Sequence, residues 1–346
     1  MPKLNEVKAL VAKLEEGKYL GVSFNDTLDT LERKKLLLEM QELETGVSTK
    51  HEYEDFLLHN EAMLKIYQPH SYHYNERVRF GPIDRKSRVC RYCGKRIPET
   101  TFKNVSHTIS KSLGNKSFIT SDECDNCNAH FGAGIEQEFL RYISVYRSLA
   151  ARYEGHPYFT TLTDSFRLDV NKITNRVCFD IIDKSRSKIE ISGNRADIYT
   201  DGGFVNYHDV YRALVKYVIG MLPEEQLPLF KETIRWVNGE NLFMHLPIIK
   251  ESIYSEPEQH PFLNMFFRKE DSQLYPYLIA DFHVNHLEFL YAIPGCQKDV
   301  DGIKEGALDA FLKLRNDTND WRNIVMDFQQ PRHRRLHAAF FLKQKE

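Results

Sequence analysis

Cys90-Arg91-Tyr92-Cys93 and Cys124-Asp125-Asn126-Cys127-Asn128 bracket a segment that contains Ser106-His107-Thr108-Ile109-Ser110. Each cysteine pair is a Cys-x-x-Cys hook, and the short turn inside a hook brings two thiolates to one metal. Two hooks predict a tetrahedral zinc site made by Cys90, Cys93, Cys124 and Cys127. Such a site folds a short loop that has too little apolar material to fold alone. The loop it would pin, 30 residues between the hooks, carries His107 and a run of small polar residues. Free or redox thiols would not require two pairs of identical spacing.

The rest of the composition bounds the chain. With 346 residues, 42% of them hydrophobic and 12% aromatic, it is expected to fold into two or three soluble domains. No apolar run approaches the ~18 residues that span a bilayer. The start, Met1-Pro2-Lys3-Leu4-Asn5, lacks the apolar stretch of a secretory signal. The expected location is the cytoplasm, where paired cysteines bind metal more often than they form disulfides. Cys178 and Cys296 read as isolated thiols in or near a core. A net charge of −2 excludes a global charge argument for a polyanionic partner. Locally, residues 76–116 hold 11 Lys/Arg against 3 Asp/Glu, and a positive field confined to the neighbourhood of His107 suits a polyanion. The plainer reading is a solvated basic surface that offsets the thiolate charge.

Hydrophobic periodicity predicts helices at about residues 4–14, 26–44 and 49–67, the last with Thr49 and Glu52 at capping-box spacing. Arg77-Val78-Arg79-Phe80 alternates like a strand, as does Phe102 to Ile109. From Asn128 a long helical pattern runs through Ile135, Phe139 and Ile143. Later come short strand-like runs at 167–170, 176–182, 188–191 and 196–200, with Asp201-Gly202-Gly203 as a turn. An amphipathic helix is expected over Asp209–Leu222, strands over 243–249, 263–268, 274–282 and 286–292, and a helix over 303–314. The basic run Arg332, His333, Arg334, Arg335 reads as a solvated tail. The fold class is α+β: a helical region over 1–75, a metal module over 76–155, and an α+β domain with a mainly antiparallel sheet over 156–346.

Hydrolysis of a phosphodiester needs a base for water, a metal for the developing charge, and a positive approach path. His107, as a neutral imidazole, is suited to be the base. Asn128 and His130 offer an amide oxygen and an imidazole nitrogen to a divalent ion. The two hooks, the strand through His107 with Leu113-Gly114-Asn115-Lys116 after it, and the asparagine following the last cysteine together resemble the zinc-bearing HNH endonucleases. The resemblance covers roughly residues 86–145. It implies a ββα-metal finger, structural Zn2+, a catalytic Mg2+ or Mn2+, and nucleic acid, DNA before RNA, as the substrate. By position, His107 corresponds to the general base, Asn128 to the final metal ligand, and Asn115 to the middle asparagine that orients the base or the loop. Ser106 stands where many members carry an acidic or imidazole ligand, so His130, Asp122, Glu123, Glu136 or water is left to complete the shell. Phe118-Ile119-Thr120-Ser121 replaces a frequent Asn-Leu, and Ser110 a frequent proline. The resemblance further implies backbone contacts from Arg88, Arg91, Lys103, Lys111 and Lys116. Residues 156–346 are left for recognition, sensing of an activating ligand or homo-oligomerisation, and the architecture is analogous to bacterial defence and restriction effectors. The alternative is a zinc module that binds nucleic acid without cutting it.

Overall fold

The computed structural model describes residues 46–72, 77–150, 158–171, 173–174, 176–243, 245–317, 319–324 and 332–341, with residues 35, 38, 39, 41 and 42. The helix expected over 4–14 and most of that over 26–44 lie outside the described residues. Helix α1 (Lys50–Ile66) runs directly into strand β1 (Tyr67–Tyr72). The Thr49 hydroxyl does not cap α1; it donates to the Leu38 carbonyl at 2.8 Å.

The central module follows, with strands β2 (Val78–Phe80), β3 (Ser106–His107) and β4 (Phe118–Thr120) and helices α2 (Asp125–Ala133), α3 (Ile135–Tyr142) and α4 (Ser144–Ala150). Strand β4 lies in the middle, parallel to β2 and antiparallel to β3. Only two residues of the expected strand 102–109 pair, because the Lys103 and Asn104 amides go to the Asp125 carboxylate instead. The long helix expected from Asn128 is three short ones. It breaks at Gly134, whose ψ of −105° no helix accepts.

Strands β5 (Tyr158–Leu162), β6 (Phe166–Asn171) and β7 (Arg176–Ile181) form one antiparallel sheet. Strands β8 (Lys188–Ser192) and β9 (Arg195–Val205) belong to another. The expected turn at Asp201-Gly202-Gly203 lies inside β9, where the pairing slips its register instead of reversing. Helix α5 (Tyr207–Met221) is capped by Asn206, whose side chain accepts from the His208 and Asp209 amides. Helix α6 (Lys231–Val237) and strands β10 (Ile249–Arg268) and β11 (Leu278–Ala292) come next. The strands expected over 274–282 and 286–292 are the two halves of β11, joined through Asn285 at φ 54°. Of the described residues in the strand expected over 243–249, only Ile249 is extended into a sheet. Helix α7 (Ala307–Leu314) and strands β12 (Arg322–Ile324) and β13 (Arg332–Phe341) complete the order. The larger sheet runs β1-β10-β11, with β12 also on β10, and β13 joins β9 and β8. These four ladders are antiparallel, which bears out the α+β class with antiparallel sheets.

The basic run 332–335 is no tail. It opens β13, and the Arg334 guanidinium is buried 3.7 Å from the Tyr142 ring centre. Cys296 is buried as expected, whereas Cys178 is exposed.

Helix α5 positions the rest. Every residue from Val210 to Met221 is buried, so the amphipathic reading fails: the helix has apolar neighbours all round. One continuous core joins Tyr92, Ile109, Phe118 and Phe131 of the central module to Leu214, Tyr217 and Val218 of α5 and to Phe282 and Phe289 of β11. A second cluster packs α1 on α7 through Met63, Tyr67, Phe266 and Phe311. No helix among the described residues is long and apolar enough to cross a membrane.

Candidate functional site

The four hook thiols converge. Cys90 Sγ lies 3.8 Å from Cys127 Sγ, and Cys93 Sγ 3.7 Å from Cys124 Sγ. All four sulfurs lie within 4.8 Å of one another. A disulfide would need about 2.05 Å. A zinc tetrahedron with Zn–S bonds of about 2.3 Å has edges of about 3.8 Å, so the spacing fits that ion. The first hook turns through Gly94 at φ 70°, whose amide returns to the Cys90 carbonyl at 2.8 Å. The second hook opens α2. The Asp125 carboxylate there accepts the Lys103 and Asn104 amides at 3.0 and 2.8 Å and so ties the loop before β3 to the helix.

Strand β3 carries His107 opposite Ile119. The ring is half-buried, and its Nδ1 is buried without a hydrogen-bond partner. Burial, then Lys111, Arg77 and Lys216, push the imidazole down to about 4. It is therefore neutral, a proton acceptor, at pH 7. The preceding Ser106 hydroxyl donates to Asn128 Oδ1 at 3.2 Å, which joins the start of β3 to α2. Asn115 is fully buried. Its amide donates to the Ile109 and Phe118 carbonyls at 2.7 and 3.1 Å, and its oxygen accepts the Ser117 and Phe118 amides at 3.0 and 2.9 Å. Those four bonds use the amide's full capacity, so Asn115 shapes the β3–β4 loop and has no group left for a substrate.

Helix α5 forms the wall behind these strands. A Cβ on Gly220 would meet Thr108 Cγ2 at 2.5 Å, so only glycine lets the strands press this close. Lys216, buried, stands 2.9 Å from Glu136 Oε1 and 3.4 Å from Glu123 Oε2, and donates to the Thr108 carbonyl at 3.3 Å. Two buried carboxylates thus share one ammonium. Glu123 pairs with this ammonium, and burial raises its carboxyl above the usual range. Sequence reasoning missed Lys216, because nothing local ties a lysine on a distant helix to the hooks.

The basic residues divide into two groups. Lys103, Lys111 and Lys116 are exposed. Arg88 and Arg91 point inward and are corrected as nucleic-acid contacts. Arg88 donates to the Pro82 and Ile83 carbonyls at 3.0 and 2.6 Å. Arg91 holds Asp122 at 2.7 and 3.1 Å, and its Nη1 donates to the Ile219, Gly220 and Leu222 carbonyls at 2.7, 3.0 and 3.2 Å. It thus closes the C-terminus of α5, where unpaired carbonyls need donors. Arg91→Ala strands a buried carboxylate, and an expected loss of about 3–5 kcal/mol is measurable by urea denaturation. A loss below about 1 kcal/mol would refute this role. His130 is exposed and lies two positions after Asn128 on α2, a spacing that faces away. Asp122 is engaged by Arg91 and Glu136 by Lys216. Glu123 is held less closely, 3.4 Å from the Lys216 ammonium.

Residues 90–144 match the HNH endonuclease family model. The HNH match takes in both hooks, His107, Asn115, Asn128 and all of α2 and α3. The chain thus carries an HNH-type module with a four-cysteine cluster suited to structural zinc. No curated protein and no solved structure matches the chain. Lys216 and Gly220 lie outside the matched HNH segment, yet they form its wall.

Proposed function

We propose that the chain is a metal-dependent endonuclease that hydrolyses phosphodiester bonds of nucleic acid, DNA before RNA, with His107 as general base. The carrying observation is the neutral, half-buried His107 beside the Ser106–Asn128 bond, inside the HNH match. His107 takes the proton of the attacking water. Asn128 and Glu123 would hold Mg2+ or Mn2+, and His130 is set aside because its helix turns it away. The fit rests on the donor set, an amide oxygen and a carboxylate, with two carboxylates sharing one ammonium beside it. When bound, the ion neutralises charge on the scissile phosphate and the leaving 3′ oxygen. The expected products carry 5′-phosphate and 3′-hydroxyl ends.

Lys103, Lys111 and Lys116 hold the phosphate backbone, which contributes affinity without sequence preference. Replacing all three by glutamine is expected to lower the slope of log K against log salt by about 3 for duplex DNA. Fluorescence anisotropy measures this, and an unchanged slope would remove the lysines from the interface. Residues 156–346 serve recognition, ligand sensing or self-association in this reading. A role as a bacterial defence effector is an analogy of architecture.

The test is cleavage of plasmid DNA and of single-stranded DNA and RNA by the purified chain with Mg2+ or Mn2+, and with EDTA. Metal-dependent cleavage supports the proposal. Binding without cleavage of any substrate would favour the second reading, a zinc-dependent binding module. The feature behind that reading is Ser106, a weak ligand already bonded to Asn128.

A further inference from the structure

Far along the chain from the hooks, β11 brings Asp281, His283 and Glu288 together, with one ligand atom from each within 4.8 Å of the others. Strand periodicity alone forbids this. Residues 281 and 283 share a face, and 288, an odd number of residues on, belongs to the opposite one. Asn285 resolves it. Its φ of 54° twists the strand, and the β10 partner slips register on either side of the Asn285–Glu258 pair. A non-glycine residue in this region costs about 1–2 kcal/mol, and here the bend carries Glu288 round to the Asp281 side.

The two carboxylates are almost wholly buried, at 1% and 0% exposure, and His283 at 8%. Their outer oxygens are held by neighbours. Arg315 donates to Asp281 Oδ2 at 3.1 Å, and the Tyr254 hydroxyl donates to Glu288 Oε2. Their inner oxygens, Asp281 Oδ1 and Glu288 Oε1, face the imidazole. Both lie near His283 Nε2, at 2.9 and 3.5 Å. The imidazole is fixed by stacking on Phe262, with ring centres 4.2 Å apart. The imidazole pairs with both carboxylates across these distances, and the three donor atoms converge on a shared point. Metal–ligand bonds of about 2.1 Å give donor separations of about 3.0 Å in an octahedron and 3.4 Å in a tetrahedron. Outer-oxygen partners of the Arg315 and Tyr254 kind orient the ligands of such sites.

We propose that Asp281, His283 and Glu288 bind a transition-metal dication of the zinc or manganese class, which clamps the bend of β11. One imidazole and two carboxylates suit such ions, whereas magnesium and calcium prefer all-oxygen shells. The bound ion replaces the His283 ring proton as the partner of the two inner oxygens.

The test loads the full chain with Zn2+, desalts it, counts zinc per chain and records zinc X-ray absorption. The wild type is expected to hold one zinc with four sulfur neighbours and a further zinc with nitrogen and oxygen neighbours. His283→Asn and Asp281→Asn should each lose the second and keep the first. Asn128→Ala, in the HNH module, should keep both. A wild type with sulfur-bound zinc alone would overturn the proposal, and that result needs no variant to fold. Nitrogen/oxygen-bound zinc that persists in His283→Asn, or disappears in Asn128→Ala, would overturn it equally.

Discussion

His107→Ala is expected to lower metal-dependent cleavage by about 10²–10⁴-fold, the contribution of a positioned general base, while the fold and nucleic-acid affinity persist. The fold should survive because the ring's Nδ1 bonds nothing that its loss would orphan. Stopped-time cleavage at saturating substrate, beside a thermal melt of the variant, separates the two effects. A variant that cuts as fast as the wild type would remove His107 from the chemistry. The pH dependence sharpens the expectation. Burial and the positive groups Lys111, Arg77 and Lys216 hold the imidazole down to about 4, so the free enzyme keeps its base unprotonated well below the usual histidine value. The acidic limb of kcat/KM should therefore fall nearer pH 4 than pH 6.5. The same depression works against stability in acid. The unfolded chain takes up the proton between the two values and the folded one does not, so stability falls as pH drops through that window.

The second large effect concerns the thiolates. Structural zinc in finger peptides contributes an apparent binding free energy of about 10–16 kcal/mol at pH 7. Three of the four hook cysteines are buried beside Tyr92, Phe102 and Phe131. Replacing Cys90 and Cys127 together by serine should abolish sulfur-bound zinc, expose this segment to protease and eliminate cleavage. Cys178→Ser, at an exposed position, should change none of these. A Cys90→Ser/Cys127→Ser protein with wild-type melting and protease resistance would show that the hooks fold without metal. Limited proteolysis with mass mapping across residues 81–150 reads this directly.

Sequence revealed the hooks, the position of His107 and the α+β class because each rests on a local signal: identical cysteine spacing, one histidine between the hooks, and alternating or helical runs. It failed where a residue's role is set by a partner far away. Arg91 reads as a basic surface residue, yet it closes a helix whose last turn lies 128 residues on. Arg334 reads as part of a solvated tail and instead covers Tyr142. Lys216 reads as a polar position of α5, and the carboxylates that pair with it come 93 and 80 residues earlier in the chain. Charge in a sequence is ambiguous in this way, because solvent and a buried counter-charge satisfy it equally well. The bend at Asn285 escaped notice for a related reason. Its two halves each look like an ordinary strand, and only the register against β10 joins them.

Synthesis order gives the wall formed by α5 a temporal meaning. The last zinc thiolate, Cys127, leaves the ribosome roughly 90 residues ahead of Lys216 and Gly220, a delay of about 4–18 s at ~5–20 residues per second. During that interval the hooks can close, but Glu123 and Glu136 still lack their shared ammonium, and Thr108 has no helix to press against. The half-made polypeptide therefore has all four thiol ligands before it has the wall behind them, and the arrival of one lysine and one glycine supplies that wall.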